Sequence, residues 1–186
     1  TKCALDAEDG WDMMQDVTFR RLNFHDNPNN EFLTAAGHNF IIENMVNGKI
    51  YFGERTNSYV VKNSSNITSA SLGYTSRLRS GYTRFFNSTI SGGIGVNINS
   101  KSDLKFIIKD STIYGRTESG SIANAIFIRC NLGPSKLSTN SYENSLGTAT
   151  YNFCYIHDKY GSHHYTGIYA NCIFENISGN IPQSIT

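Results

Sequence analysis

Short apolar phrases recur along this chain with one internal shape. The clearest are "RFFNSTISG" at 84–92, "KFIIKDSTIYG" at 105–115 and "IFIRCNLG" at 126–133. Each has an alternating apolar stretch, a polar corner and a second, shorter alternation. Taking the apolar residue that closes each phrase as an anchor gives Phe24, Val46, Ile67, Ile90, Ile113, Leu132, Ile156 and Phe174, spaced 22, 21, 23, 23, 19, 24 and 18 residues apart. Five residues before the anchors stand Phe19, Ile41, Lys62, Phe85, Ile108, Phe127, Tyr151 and Tyr169, all large and apolar or aromatic except the lysine. Two before them stand Leu22, Asn44, Ser65, Ser88, Ser111, Cys130, Cys154 and Cys172, and the last six are all Ser or Cys.

A period of about 20 to 25 residues is the mark of a solenoid, in which no repeat buries its own apolar face and each stacks on its neighbours. Positions minus two and zero alternate as on a strand with one buried face, and positions minus seven and minus five form a second strand in another phase. The corner between them carries Asn87, Asp110 and Asn171, residue types that tolerate left-handed backbone. Glycines follow several anchors, as in "ISGGIG", "IYGR" and "NLGP", and predict a further turn.

The phrases "FFNSTISGGIGV", "FIIKDSTIYG" and "IYANCIFENISGN" resemble rungs of the right-handed parallel β-helix of the pectate-lyase-like superfamily, over about residues 16–180. The resemblance implies an all-β, single-stranded parallel β-helix of about eight rungs, forming one domain over 1–186. Residues 1–15 are then a lead-in, with a short capping helix expected at 9–16 bearing Trp11, Met13 and Met14, and 181–186 form a tail. A leucine-rich repeat shares the core offsets but needs Leu ten before each anchor. Those positions read Met14, Ala36, Asn57, Ser80, Asp103, Ile122, Leu146 and His164, which argues against it. Within the β-helix, Cys130, Cys154 and Cys172 are expected as small inward residues with free thiols, continuing the serine column.

At 186 residues the chain is long enough to bury one continuous core. Its formal charge is +1, and apart from Arg20–Arg21 and the Arg77, Arg79, Arg84 group its basic residues are scattered, which argues against a nucleic-acid partner. No apolar run approaches the roughly 20 residues of a membrane span. The chain begins at Thr without a signal-peptide core, so it is expected to be a processed product or a piece of a longer protein. The end "NISGNIPQSIT" offers no cover for the last rung, so more of the same chain, a partner subunit or a homotrimer mate is expected there.

Outward positions on the second strand flank each anchor and place Tyr114, Tyr155, His157 and Glu175 on one side of the stack. Rungs stack about 4.8 Å apart, so His157 and Glu175 are expected as neighbours. The adjoining loops add Arg116 and "HDKYGSHHYTG", with Asp158, Tyr160 and His163. Aromatic faces beside short polar groups suit a sugar chain, so Tyr114, Arg116, Tyr155, His157, Tyr160 and His163 are the expected glycan-binding residues. Asp158 and Glu175 are the candidate acid pair for glycoside hydrolysis. Lyase chemistry in the resembled superfamily uses acidic residues holding Ca²⁺, and no matching Asp cluster stands here, so no cofactor or metal is expected, with Ca²⁺ the expectation only if the chain is a lyase. Four sequons, at Asn63, Asn66, Asn87 and Asn176, read as corner residues. The composition points first to a virion appendage segment, like a bacteriophage tailspike or tail fibre, that binds host-surface glycan outside the cell, either as an adhesin or as part of a depolymerase whose activity is not expected in this chain alone. A secreted polysaccharide lyase or glycoside hydrolase is the alternative, and a structural spacer the third reading.

Overall fold

Every rung turns at a corner where one residue adopts left-handed backbone. Arg21, Asn44, Asn63, Asn87, Asp110, Arg129, Phe153 and Asn171 all have φ between 43° and 59°. Asn and Asp adopt this conformation readily, whereas a bulky side chain is strained there. From Arg21 through Phe153 each of these corner N–H groups donates to a carbonyl one rung on, as Asn87 does to Lys109 at 3.1 Å and Arg129 to Asn152 at 2.9 Å.

The corner bend turns the next N–H inward, where the side chain on the following rung receives it. Met45 donates to Ser64 Oγ at 3.2 Å, Ser64 to Ser88 Oγ at 3.0 Å and Ser88 to Ser111 Oγ at 3.2 Å. The thiols continue the chain, with the main chain of Ser111 bonded to Cys130, that of Cys130 to Cys154, and that of Cys154 to Cys172. Each hydroxyl or thiol in turn donates to the carbonyl two residues before it: Ser88 to Phe86 at 2.7 Å, Ser111 to Lys109 at 2.8 Å, Cys154 to Asn152 at 3.4 Å. This is why the column is Ser and Cys: the position needs a small side chain with a polar atom on Cβ.

The computed structural model describes residues 3–5, 16–23, 31–75, 82–98, 105–119, 125–136, 149–159 and 167–178. It is an all-β parallel solenoid. Strands β1 (Cys3–Leu5), β2 (Thr18–Arg20), β3 (Glu31–Glu43), β4 (Lys49–Lys62), β5 (Ser69–Thr75), β6 (Tyr82–Phe86), β7 (Thr89–Ile90), β8 (Ile94–Ile98), β9 (Lys105–Lys109), β10 (Thr112–Tyr114), β11 (Thr117–Ser119), β12 (Ala125–Ile128), β13 (Asn131–Gly133), β14 (Thr150–Asn152), β15 (Tyr155–His157), β16 (Ile168–Ala170) and β17 (Ile173–Glu175) follow in chain order. The second sheet runs β17-β15-β13-β10-β7, and the first runs from β2 through β3, β4, β6, β9, β12 and β14 to β16. Both faces are continuous over about four turns, fewer than the eight expected. Upstream of β7 the second sheet is reduced to isolated bridges, Asn23 to Val46, Val46 to Ser65 and Ile67 to Ile90.

The same upstream region corrects the sequence register. Ile42 pairs with Phe19 and with Val61, and Val61 with Phe85, so the buried column runs Phe19, Ile42, Val61, Phe85, Ile108, Phe127, Tyr151, Tyr169, without Ile41 or Lys62. Likewise Met45 and Ser64, not Asn44 and Ser65, belong to the inward ladder. Two residues, Ser65 and left-handed Asn66, separate Ser64 from Ile67, whereas one separates Ser88 from Ile90. Counting back from Ile67 therefore lands one residue late, at Ser65 and Lys62, whereas counting back from the exposed Val46 lands one residue early, at Asn44 and Ile41. Val46 is exposed, while Ile67, Ile90, Ile113, Leu132 and Ile156 are fully buried as expected. The anchor Phe24 and the helix expected at 9–16 lie outside the described residues, apart from Asp16; Cys3–Leu5 within the lead-in pairs as a strand with Phe32–Thr34.

A third strand, which the anchor pattern missed, completes the upstream rungs. It follows a turn at Asn47–Gly48 or at Gly92–Gly93 and aligns Ile50, Ala70, Ile94 and Thr117 inward. Gly115 at φ 101° packs against the preceding rung so closely that a Cβ there would meet the Gly92 carbonyl carbon at 2.9 Å. Among aromatic residues, Phe127, Tyr151 and Tyr169 stack at 5.0 and 4.9 Å, close to the roughly 4.8 Å rung repeat. The Tyr151 hydroxyl, fully buried, meets Thr117 Oγ1 at 3.1 Å.

All four sequon asparagines have left-handed φ. Their amides are used in stacking: Asn87 donates to Asn63 at 2.9 Å, Asn66 to Asn47, and Asn176 to Asp158 at 3.1 Å. Cys130, Cys154 and Cys172 are free thiols. Among the described residues no helix is long and apolar enough to cross a membrane.

The ladder changes what a substitution at Ser111 should do. A valine looks tolerable if the column needs only small size, but the structure makes Ser111 Oγ the acceptor for Ser88 N–H. Ser111→Ala and Ser111→Val should each cost about 1 to 3 kcal/mol, lowering the thermal midpoint by several degrees. Ser111→Cys should be nearly neutral, and Ser111→Arg should prevent folding. Equal midpoints for the Ala, Cys and wild-type chains would contradict the ladder.

Candidate functional site

The outward side of β10, β13, β15 and β17 brings polar and aromatic groups into two adjacent rows. The first row is Thr112, Asn131, Tyr155 and Ile173, in register. The second begins with Tyr114 beside Gly133 and ends with His157 beside Glu175. Parallel pairing fixes this order, since the anchors between the rows are locked into the core.

Gly133 joins the two halves of the second row. A Cβ there would lie 2.9 Å from His157 Nε2 and 3.1 Å from Tyr114 Cδ1. The two side chains therefore lean over the glycine from either side. Only an absent side chain at 133 lets them approach.

His157 is held on three sides. Its ring stacks on Tyr155 with centroids 4.8 Å apart, Nδ1 meets Asp158 Oδ2 at 2.8 Å, and Nε2 meets Asn131 Oδ1 at 3.0 Å. Asp158 Oδ1 accepts from Asn176 at 3.1 Å. The Tyr155 hydroxyl donates to Glu175 Oε2, and that bond raises the phenol above its ordinary range. Over Tyr114 lies the Lys136 ammonium, 3.9 Å from the ring centroid. Lys136 gets there because its loop folds back across the stack, its N–H donating to Ser91 at 3.2 Å.

Thus five of the expected residues, Tyr114, Tyr155, His157, Asp158 and Glu175, share one face. Arg116 does not join the rows: it sits past the Gly115 turn, with its Cγ 3.3 Å from where a Gly93 Cβ would be. Tyr160 and His163 lie outside the described residues. Asn131 and Lys136 belong to the site without having been selected from sequence. Asn131 was visible as an outward residue, but its contact with His157 crosses from one rung to the next. Lys136 depends on a loop path that carries no periodic signal.

Phe153 breaks the corner rule beside this face. It is 62% exposed at φ 55°, a strained conformation for an aromatic residue whose ring gains little burial. With Tyr155 and Ile173 it makes the nearby surface apolar.

Beneath the face, Lys159 is fully buried and its ammonium donates to the Gly115 carbonyl. Burial pushes its pKa down to about 7. The unfolded lysine keeps an ordinary pKa near 10.4, so between these values the unfolded chain binds more protons and stability rises with pH. The chain should gain up to about 1.4 kcal/mol per pH unit between pH 7.5 and 9.5. Lys159→Met should flatten that slope, and an unchanged slope in urea unfolding of the variant would contradict the assignment.

Among the described residues no group of three or more His, Cys, Asp and Glu side chains is placed to hold a metal ion. The chain matches no protein-family model, no curated protein and no solved structure.

Proposed function

We propose that the chain binds glycan across the outward face of β10, β13, β15 and β17, as a recognition segment of a larger surface appendage. The observation that carries this is Tyr155: a part-exposed ring fixed by stacking on His157 and by its hydroxyl on Glu175. A pre-positioned aromatic face loses little entropy when a sugar ring packs on it, and Asn131, His157 and Asp158 supply the hydrogen-bonding groups alongside. The placement in a virion tailspike or fibre rests on the compositional likeness and on the β-helix resemblance.

Binding is favoured over hydrolysis by what the two acids already do. Asp158 uses both oxygens, on His157 and on Asn176, and Glu175 receives the Tyr155 hydroxyl. Carboxylates engaged in this way hold neighbouring side chains in place. A glycosidase needs one acid free for the leaving group and the other for water or the sugar carbon.

A glycan array on the purified chain, with and without Ca²⁺ and followed by analysis of each bound glycan for shortened or unsaturated products, tests this reading. Binding without cleavage is expected, and Tyr155→Ala should weaken it about tenfold, the equivalent of one lost aromatic contact. Cleavage products, or full binding by Tyr155→Ala, would overturn it.

A further inference from the structure

The two hydrogen bonds of His157 cannot both survive loss of its proton. Ionised Asp158 only accepts, so Nδ1, 2.8 Å from Oδ2, must donate. Nε2 faces Asn131 Oδ1 at 3.0 Å, another acceptor. Two acceptors on the two ring nitrogens are satisfied together only by the imidazolium. When the ring gives up a proton it gives up the one on Nε2, because the one on Nδ1 stays with the carboxylate. Nε2 then becomes an acceptor, and Asn131 must turn its amide over to present Nδ2.

We propose that protonation of His157 sets which end of the Asn131 amide the face shows to a ligand. With the ring protonated the carbonyl points at the ring and the NH₂ group points outward. With the ring neutral the NH₂ group is held by Nε2 and the carbonyl points outward. Asn131 is half-buried on the outward row beside Tyr155, where a bound ring would lie. The acid form therefore takes acceptor-only ligand groups, such as an acetamido carbonyl or a carboxylate, and the neutral form takes ligand donors. The ligand consequence rests on the glycan-binding reading, but the switch belongs to the free chain.

Among the described residues the charged and titratable groups around the ring are these. Asp158 comes from its own segment, Glu175 from β17 in register beside it, and Tyr155 stacks on its face. Tyr114 approaches from β10 under the Lys136 ammonium, β13 contributes only neutral Asn131 and Gly133, and Lys159 turns inward to Gly115.

The test is NMR of the ¹⁵N-labelled chain from pH 5 to 8.5, the range in which imidazoles titrate, with no glycan present. The expected result is that His157 Nε2 loses its proton while Nδ1 keeps its own, and that the Asn131 side-chain amide resonances move with the same midpoint. Asn131→Asp, which cannot donate in the neutral state, should raise that midpoint by at least about one pH unit, a tenfold tighter hold on the proton. Deprotonation at Nδ1, or Asn131 resonances that do not follow the ring, would overturn the proposal whether or not the variant folds. So would an unchanged midpoint in a folded Asn131→Asp chain. Because no sugar is present, none of these outcomes bears on whether the face binds glycan.

Discussion

A backbone that bends sharply in its interior leaves an N–H pointing where no strand can receive it. In this chain the left-handed corner residue creates that group once per rung, and the Ser or Cys of the next rung accepts it from Ser64 through Cys172. An unmatched amide there would cost about 1 to 3 kcal/mol, and a series of them would exceed the 5 to 15 kcal/mol stability of a typical domain. The ladder is thus a condition for having the corner, and the corner is what lets two flat strands share one core.

The same constraint places the outward face. From Ser88 onward each ladder residue sits two before an inward anchor, so the residues on either side of that anchor must point outward, one rung above the other. Tyr155, His157 and Glu175 come together because Ile156 and Phe174 are held in register inside. Gly133 then lets Tyr114 and His157 lean towards each other across a rung that has no side chain. Rigid stacking is well suited to a recognition surface, because little of the face has to be ordered when a ligand arrives.

How much of this was legible in the sequence varies along the chain. From Ser88 onward the buried columns, the corner asparagines and the outward pairing of His157 with Glu175 all follow from a fixed spacing between ladder and anchor. Upstream, the extra residue at Asn66 shifted the count late, with Lys62 in an otherwise apolar column as the visible sign of it, and the choice of exposed Val46 as an anchor shifted the preceding rung early. The third strand was hidden because its inward residues, Ile50, Ala70, Ile94 and Thr117, vary in type and follow turns of different length. Arg129 and Phe153 at left-handed corners were unreadable, since neither side chain prefers that conformation. The Asn131 and Lys136 contacts depend on which atoms meet across rungs and on a loop path, and no periodicity encodes either.

The central claim is that each inward hydroxyl or thiol carries the amide of the rung before it. Hydrogen exchange at single-residue resolution on the wild-type chain and on Ser111→Ala tests it most directly. The amides of Ser64, Ser88 and Ser111 should be protected as strongly as the neighbouring strand amides, and the variant should lose protection at Ser88 while Ser64 keeps it, because only Ser88 donates to Ser111 Oγ. Fast exchange at all three in the wild type, or no selective change at Ser88 in the variant, would contradict the account.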